Sequence, residues 1–211
     1  MSSLTGFAQV NLMDMLEELG EDKTATILSS FSCPLNKDVE QFLHSKAISF
    51  ARMGIAATHL VFASYKEQVV LVGYYSLANK TVAIKSRSLT YRWRQRLGRF
   101  AQFNPETKQY LIALPLIGQL GKNFANDYNK LITGDELLAM ACEKIRGLQL
   151  LIGGKMAYLE CEDTPRLIEF YSSNGFERFA NRNLDGDELQ TGEKPYLVQM
   201  LRYFSTSKNS K

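Results

Sequence analysis

The chain has 211 residues, 45% hydrophobic and 22% charged, with a formal net charge of +3 and a mean hydropathy of -0.19. That length can bury one sizeable core. No run approaches the roughly 18 uninterrupted apolar residues of a membrane span, and the start, MSSLTGFAQVNLMDM, is not a basic stretch followed by an apolar one, so neither a membrane protein nor a secretory leader is expected.

Residues 1–23 read as an N-terminal arm, in which residues 11–20 form a short acidic helix bearing Asp14, Glu17 and Glu18. T-A-T-I-L-S-S-F reads as a strand. Asn36 is placed to cap a helix through about residue 53, since Val39, Phe42, Leu43, Ala47 and Phe50 recur at helical spacing. Two strand-like runs follow, T-H-L-V-F-A-S-Y and Q-V-V-L-V-G-Y-Y-S-L, and the K-E between them makes a hairpin. From Gln68 to Pro105 there is no Asp or Glu but seven Lys or Arg, most of them in K-S-R-S-L-T-Y-R-W-R-Q-R-L-G-R-F. Such separation marks either a positive face for a polyanion or a solvated surface segment.

Q-Y-L-I-A-L-P-L-I-G-Q-L is a long apolar strand, with Pro115 marking an irregularity because proline cannot donate to a ladder. In L-I-T-G-D-E-L-L-A-M-A-C-E-K-I, Thr133 and Glu136 form a T-x-x-E capping box, and Leu138, Ala141, Cys142 and Ile145 an apolar stripe. G-G-K-M-A-Y-L-E-C is a strand. Asp163 or Thr164 caps the next helix, with Pro165 in its first turn and Gly175 ending it. K-P-Y-L-V-Q-M-L-R-Y-F is the last strand, and residues 205–211 are a flexible tail. The alternation gives an α/β fold, one mixed, mostly antiparallel sheet with helices on both faces, over residues 24–204.

Three cysteines, Cys33, Cys142 and Cys161, are widely spaced, and the two histidines are His44 and His59. A reduced, cytoplasmic setting without a metal site is expected. No cysteine has a histidine-plus-acid pattern beside it, and Cys142 falls on an apolar stripe, which favours packing over nucleophilic chemistry.

The order of elements and several local strings resemble the GNAT acetyltransferases. L-I-E-F-Y-S-S-N-G-F is similar to the close of that family's last helix, F-Y-x-x-x-G-F, and the resemblance implies that Tyr171 is a general acid. F-S-C-P with L-x-x-x-V-E-Q-F-L, V-G-Y-Y-S-L and L-I-G-Q-L-G-K-N resemble the toxin-type branch found in toxin–antitoxin modules. The match runs from about Phe31 to Phe204, in short motifs.

The resemblance implies acetyl-CoA as co-substrate, with Gly118, Gln119 and Leu120 offering backbone N–H groups to the thioester carbonyl, an arrangement of roughly 3 kcal/mol per donor. It places Lys130, Thr133 and Gly134 near the coenzyme pyrophosphate, with Lys122 as a further cation, and Thr164 where the family often has an asparagine. Where the family carries Q/R-x-x-G-x-G/A, this chain has N-F-A-N-D-Y-N-K-L-I-T-G-D-E-L-L. Only Gly134 aligns, and Asp135 and Glu136 put negative charge into the helix's first turn. Glu160, Glu162 or His59 is the candidate base.

Two classes of function stand. One is an N-acetyltransferase whose acceptor is a small amine, a protein N-terminus or the α-amine of an aminoacyl-tRNA. In the tRNA case Arg92, Arg94, Arg96 and Arg99 grip phosphates and Trp93 or Tyr91 stacks on a base. An antitoxin protein would then cover the basic face. The other is a degenerate, non-catalytic fold that binds nucleic acid or a partner protein. A homodimer fits either class, and no membrane contact is expected.

Overall fold

Hydrophobic alternation and capping residues lay out the elements of the computed structural model, which describes residues 6–184 and 195–205. Strand β1 (Phe7–Asn11) leads into α1 (Leu12–Leu19) and α2 (Glu21–Ser29). Helix α3 (Lys37–Gln41), a π-helical turn at Phe42–Lys46 and α4 (Ala47–Arg52) follow without a break. Strands β2 (Ala57–Tyr65) and β3 (Gln68–Lys85) precede α5 (Tyr91–Leu97), β4 (Gln102–Asn104) and β5 (Gln109–Lys122). Then come α6 (Gly134–Ile152), β6 (Met156–Cys161), α7 (Pro165–Ser173), β7 (Glu177–Asn183) and β8 (Tyr196–Tyr203). The strand order is β1-β2-β3-β5-β6-β8-β7, with β4 pairing β5. The pairs β1–β2, β2–β3, β4–β5, β6–β8 and β7–β8 are antiparallel, in keeping with the mostly antiparallel α/β sheet fold expected. Among the described residues, no helix is long and apolar enough to cross a membrane.

The chain divides into two compact units, residues 1–78 with 117–143 and residues 79–116 with 144–211. In the first, Leu12, Leu28, Phe31, Leu43, Ala47, Leu60, Leu71 and Tyr74 form the buried core. A fully buried Leu contributes about 2 kcal/mol. Residues 7–19, assigned to the arm, supply β1, paired with β2 from Phe7↔Ala63 to Asn11↔His59, and α1, whose Leu12, Met15 and Leu16 are buried.

The run T-A-T-I-L-S-S-F is not a strand. It lies in and just after α2, where the hydroxyls of Thr24, Thr26 and Ser29 donate to the carbonyls of Gly20, Asp22 and Thr26. Back-bonding of this kind lets β-branched and hydroxyl residues sit in a helix. The hairpin and the Asn36 cap are present. Lys66 and Glu67 adopt φ of 49° and 63°, and the Asn36 side chain accepts from Val39 N. Paired positive φ values match the right-handed twist of the flanking strands.

A bulge in the β2–β3 ladder pairs Val61 with Gly73 but Phe62 with Leu71, leaving Val72 as the extra residue. The end of β5 docks there. Asn123 N donates to Val72 O at 2.8 Å and its Nδ2 to Leu71 O at 2.8 Å, while its Oδ1 accepts from Ser32 N at 2.9 Å and Ala125 N at 3.0 Å. Neither glycine there has room for a side chain. A Cβ on Gly73 would sit 2.9 Å from Gly121 O, and one on Gly121 2.5 Å from Val39 Cγ1.

In the second unit the core is Val82, Ile84, Leu89, Trp93, Leu97, Ile112, Leu114, Met156, Tyr158, Phe179 and Leu201. Burial along β5 slips in phase at Pro115, with Ile112 and Leu114 buried before it and Ile117 after it. That is the irregularity expected of the proline.

Replacing Asn123 with Ala removes the partner of two part-buried N–H groups and one buried carbonyl, each worth up to about 1–3 kcal/mol when left unpaired. Asn123→Ala is expected to lose about 3 kcal/mol or more in urea unfolding. Wild-type midpoints for the Ala variant would refute the assignment.

Candidate active site and basic face

Thr164 caps α7, its Oγ1 accepting from Leu167 N at 3.4 Å, with Pro165 in the first turn. The helix ends in a Schellman motif. Gly175 takes φ 80°, Phe176 N donates to Tyr171 O at 3.0 Å and Gly175 N to Ser172 O at 3.0 Å. The rings of Tyr171 and Phe176 meet edge to face at 6.0 Å, the apolar contact that accompanies this cap, and Phe170 lies 4.9 Å from Tyr171. The ring of Tyr171 is therefore structural.

Its oxygen is another matter. Burial lifts the phenols of Tyr74, Tyr75, Tyr158 and Tyr171 above their ordinary pKa, with Cys161 adding to the effect at Tyr171. Three of them donate within the protein: Tyr74 to Val39 O, Tyr75 to Gln9 Oε1 at 2.6 Å and Tyr158 to Glu160. The Tyr171 hydroxyl has no hydrogen-bond partner among the described residues. The residue is half-buried, and with its pKa raised the phenol stays protonated at neutral pH. Beside it, burial pushes the Cys161 thiol up to about 12, which leaves no thiolate for nucleophilic chemistry.

Glu160, a candidate base, is spoken for. Its carboxylate accepts from Tyr158 and pairs with Lys80 at 3.1 Å and Arg182 at 3.0 Å, with its side chain 9% exposed. Burial alone would raise its pKa, but the Tyr158 phenol and the two cations outweigh that and hold it below the usual carboxylate range. It is a structural anion, a weak base at neutral pH. Its neighbour Glu162 is half-buried on the same strand end. His59 is buried in β2 and stacked on Tyr75 at 5.0 Å, as a packed strand histidine would be.

In the first unit, Gly118 is exposed while Gln119 and Leu120 are half-buried along β5. The α6 capping box is complete: Thr133 N donates to Glu136 Oε2 at 2.8 Å, and Glu136 N to Thr133 Oγ1 at 3.1 Å. Gly134 opens the helix. Lys122 is committed to the loop, its Nζ donating to the carbonyls of Asn129 at 2.9 Å and Ile132 at 3.2 Å. Lys130 is exposed and pairs with Asp127 at 3.0 Å.

The basic segment is a folded helix. Thr90 caps α5 by accepting from Trp93 N at 3.3 Å, and Leu89, Trp93 and Leu97 are buried at four-residue spacing. Trp93 is 2% exposed and its Nε1 donates to Glu177 Oε2 at 2.7 Å, so the stacking role expected of it is ruled out by burial. Arg96 is likewise drawn inward, 4.3 Å from the Tyr203 ring and 5.1 Å from that of Trp93, with Glu177 at 3.9 Å. Arg92, Arg94 and Arg99 are exposed and make no ion pair among the described residues, and Tyr91 is 68% exposed. The exposed aromatics Phe100 and Phe103 were not singled out from the sequence, although they flank the last arginine.

No family model and no curated protein matches the chain. Solved structures do. AtaT complexed with acetyl-methionyl-tRNAfMet superposes with a TM-score of 0.59 at 17% identity, over 91% of this chain and 93% of that one. A tyrosine-to-phenylalanine mutant of KacT gives 0.58 at 13% identity, over 92% and 94%. A mutant AtaT toxin of the same substitution type, bound to acetyl-CoA and the C-terminus of the antitoxin AtaR, gives 0.56 at 16%, over 92% of each chain. The chain shares the fold of these proteins, in agreement with the GNAT resemblance read from short motifs.

The stability contributed by the Glu160 carboxylate is complete above about pH 4.5 and is lost as pH falls through its lowered folded pKa. Glu160→Gln is expected to flatten that acid limb. At neutral pH it should destabilise by about 2–3 kcal/mol, less than for a fully buried pair because Lys80 and Arg182 keep partial access to water. Urea unfolding from acid to neutral pH measures both effects, and an unchanged acid limb would overturn the pairing argument.

Proposed function

We propose that this protein is an acetyl-CoA-dependent N-acetyltransferase in which Tyr171 protonates the departing coenzyme sulfur, and that its acceptor amine is carried on an aminoacyl-tRNA. The supporting observation is the Tyr171 hydroxyl: raised in pKa by burial and without a hydrogen-bond acceptor among the described residues. Such a phenol stays protonated at neutral pH and has its proton to give. As the amine lone pair forms the new C–N bond and the C–S bond breaks, the thiolate takes that proton, and the amine's proton passes to water.

The backbone of Gly118, Gln119 and Leu120 is assigned to the thioester carbonyl, and Lys130, Thr133, Gly134 and Thr164 to coenzyme contacts. The outward arginines Arg92, Arg94 and Arg99 support a polyanionic acceptor. AtaT, a neighbour in fold, is described with acetyl-methionyl-tRNAfMet and with acetyl-CoA, consistent with both halves of the reading. The domain is assigned to residues 24–204 together with the paired strand and helix before it, and the protein to the cytoplasm. An antitoxin covering the basic face completes the module.

A second reading, a GNAT fold without turnover that binds nucleic acid or protein, is favoured by the capping box. Glu136 places its own carboxylate on the α6 start, where a pyrophosphate would otherwise bind. Calorimetric titration with acetyl-CoA separates the two. Micromolar binding is expected, and no binding would leave only the second reading. Tyr171→Phe is expected to keep that affinity and lower turnover by about 100-fold or more. Because burial raises the phenol, wild-type turnover should show no fall assignable to Tyr171 as pH rises to about 10.

A further inference from the structure

The hairpin that follows the basic helix carries aromatic rings on its surface. Phe103 on β4 pairs with Tyr110 on β5, their centroids 4.9 Å apart at 49°. Phe103 is 45% exposed, whereas Tyr110 packs against the core of the second unit and so holds its neighbour steady. The hairpin is itself fixed. Asn104 Oδ1 accepts from Glu106 N at 2.9 Å and Thr107 N at 3.1 Å, and Ser86 N donates to Lys108 O at 2.9 Å, joining its tip to the turn before α5. Phe100 and Tyr91 are exposed beside the same helix.

Exposed cations are concentrated in the same stretch of chain. Lys85, Arg87, Arg92, Arg94, Arg99 and Lys108 are all exposed, and Glu106 is the one carboxylate between Gln68 and Asn126. Arg99 lies four residues before Phe103, within about 14 Å even if the chain were fully extended. Arginines alone would serve a duplex as well as a single strand. A solvent-facing ring adds something only an unpaired base can use, because bases inside a duplex have both faces already stacked.

We infer that the Phe103–Tyr110 pair is a stacking platform for an unpaired base of an RNA strand whose phosphates run along Arg92, Arg94 and Arg99. The inference rests on the RNA arm of the function proposed above and narrows it: the face takes a single-stranded end rather than a helical stem.

Fluorescence anisotropy with a short unstructured RNA strand, and with the same sequence as a blunt duplex, tests this. The wild type is expected to bind the single strand about tenfold more tightly. Phe103→Leu keeps apolar area but loses the planar ring. It should weaken the single strand about tenfold, leave the duplex and the salt dependence unchanged, and be rescued by Phe103→Trp. Arg94→Ala with Arg99→Ala should weaken both probes and flatten the salt dependence. Equal losses on both probes, no effect of Phe103→Leu, or binding of an acidic peptide but of neither RNA would overturn the platform. Acetyl-CoA titration of the same variants keeps the two ideas apart. Lost coenzyme binding with an intact Phe103 effect rejects the enzyme and leaves the platform, and the reverse result does the opposite.

Discussion

A single fully buried amide, that of Asn123, sets the geometry of the first unit. It reads the carbonyl of Leu71 beside the β3 bulge, the N–H of Ser32 before α3 and the N–H of Ala125 in the loop to α6. No other common side chain offers two donors and two acceptor sites in so small a volume. The bulge at Val72 supplies the free carbonyl that the backbone of Asn123 takes, and the bare α-carbons of Gly73 and Gly121 let the strands come close enough for it to do so. These features are mutually dependent. Filling either glycine or removing the amide leaves the end of β5 without a fixed position, and with it the backbone run Gly118–Leu120.

Within α7, shape and chemistry are carried by different parts of one side chain. The Schellman turn needs an apolar ring at position 171 to meet Phe176, and a phenylalanine would meet it as well. Nothing in that packing calls for the hydroxyl. The start of α6 shows the opposite economy, because its capping groups occupy the helix's own anion site: the Glu136 carboxylate is held down in pKa chiefly by the Thr133 N–H. A phosphate arriving there meets a helix that has already neutralised part of its dipole.

Local chemistry made most of the fold legible in the sequence. The Asn36 and Thr164 caps, the Thr133/Glu136 box, the Lys66-Glu67 turn and the Gly175 stop each depend on a few adjacent residues, and each is present. The failures came where longer-range packing decides. In T-A-T-I-L-S-S-F the β-formers suggested a strand, but Thr24, Leu28 and Phe31 are the buried positions, four and three apart, a helical period. In the basic segment the arginines drew the eye from Leu89, Trp93 and Leu97, which repeat every four residues and bury that face. Tyr171 stands out through its motif, but which acceptors lie near its oxygen depends on three-dimensional packing, and no local string encodes that.

Helix α5 keeps its two duties on separate faces. Trp93, Leu97 and the Glu177 contact anchor it, while Arg92 and Arg94, and Arg99 just beyond its end, are exposed. Substitutions on the outward face are therefore nearly silent for folding, since exposed charges away from any pair alter stability by only a few tenths of a kcal/mol. Drift there is free to retune which partner the protein accepts, one residue at a time, on a scaffold that does not register the change. The anchored face has no such freedom, and related chains should diverge in their arginines long before they diverge in the tryptophan beneath them.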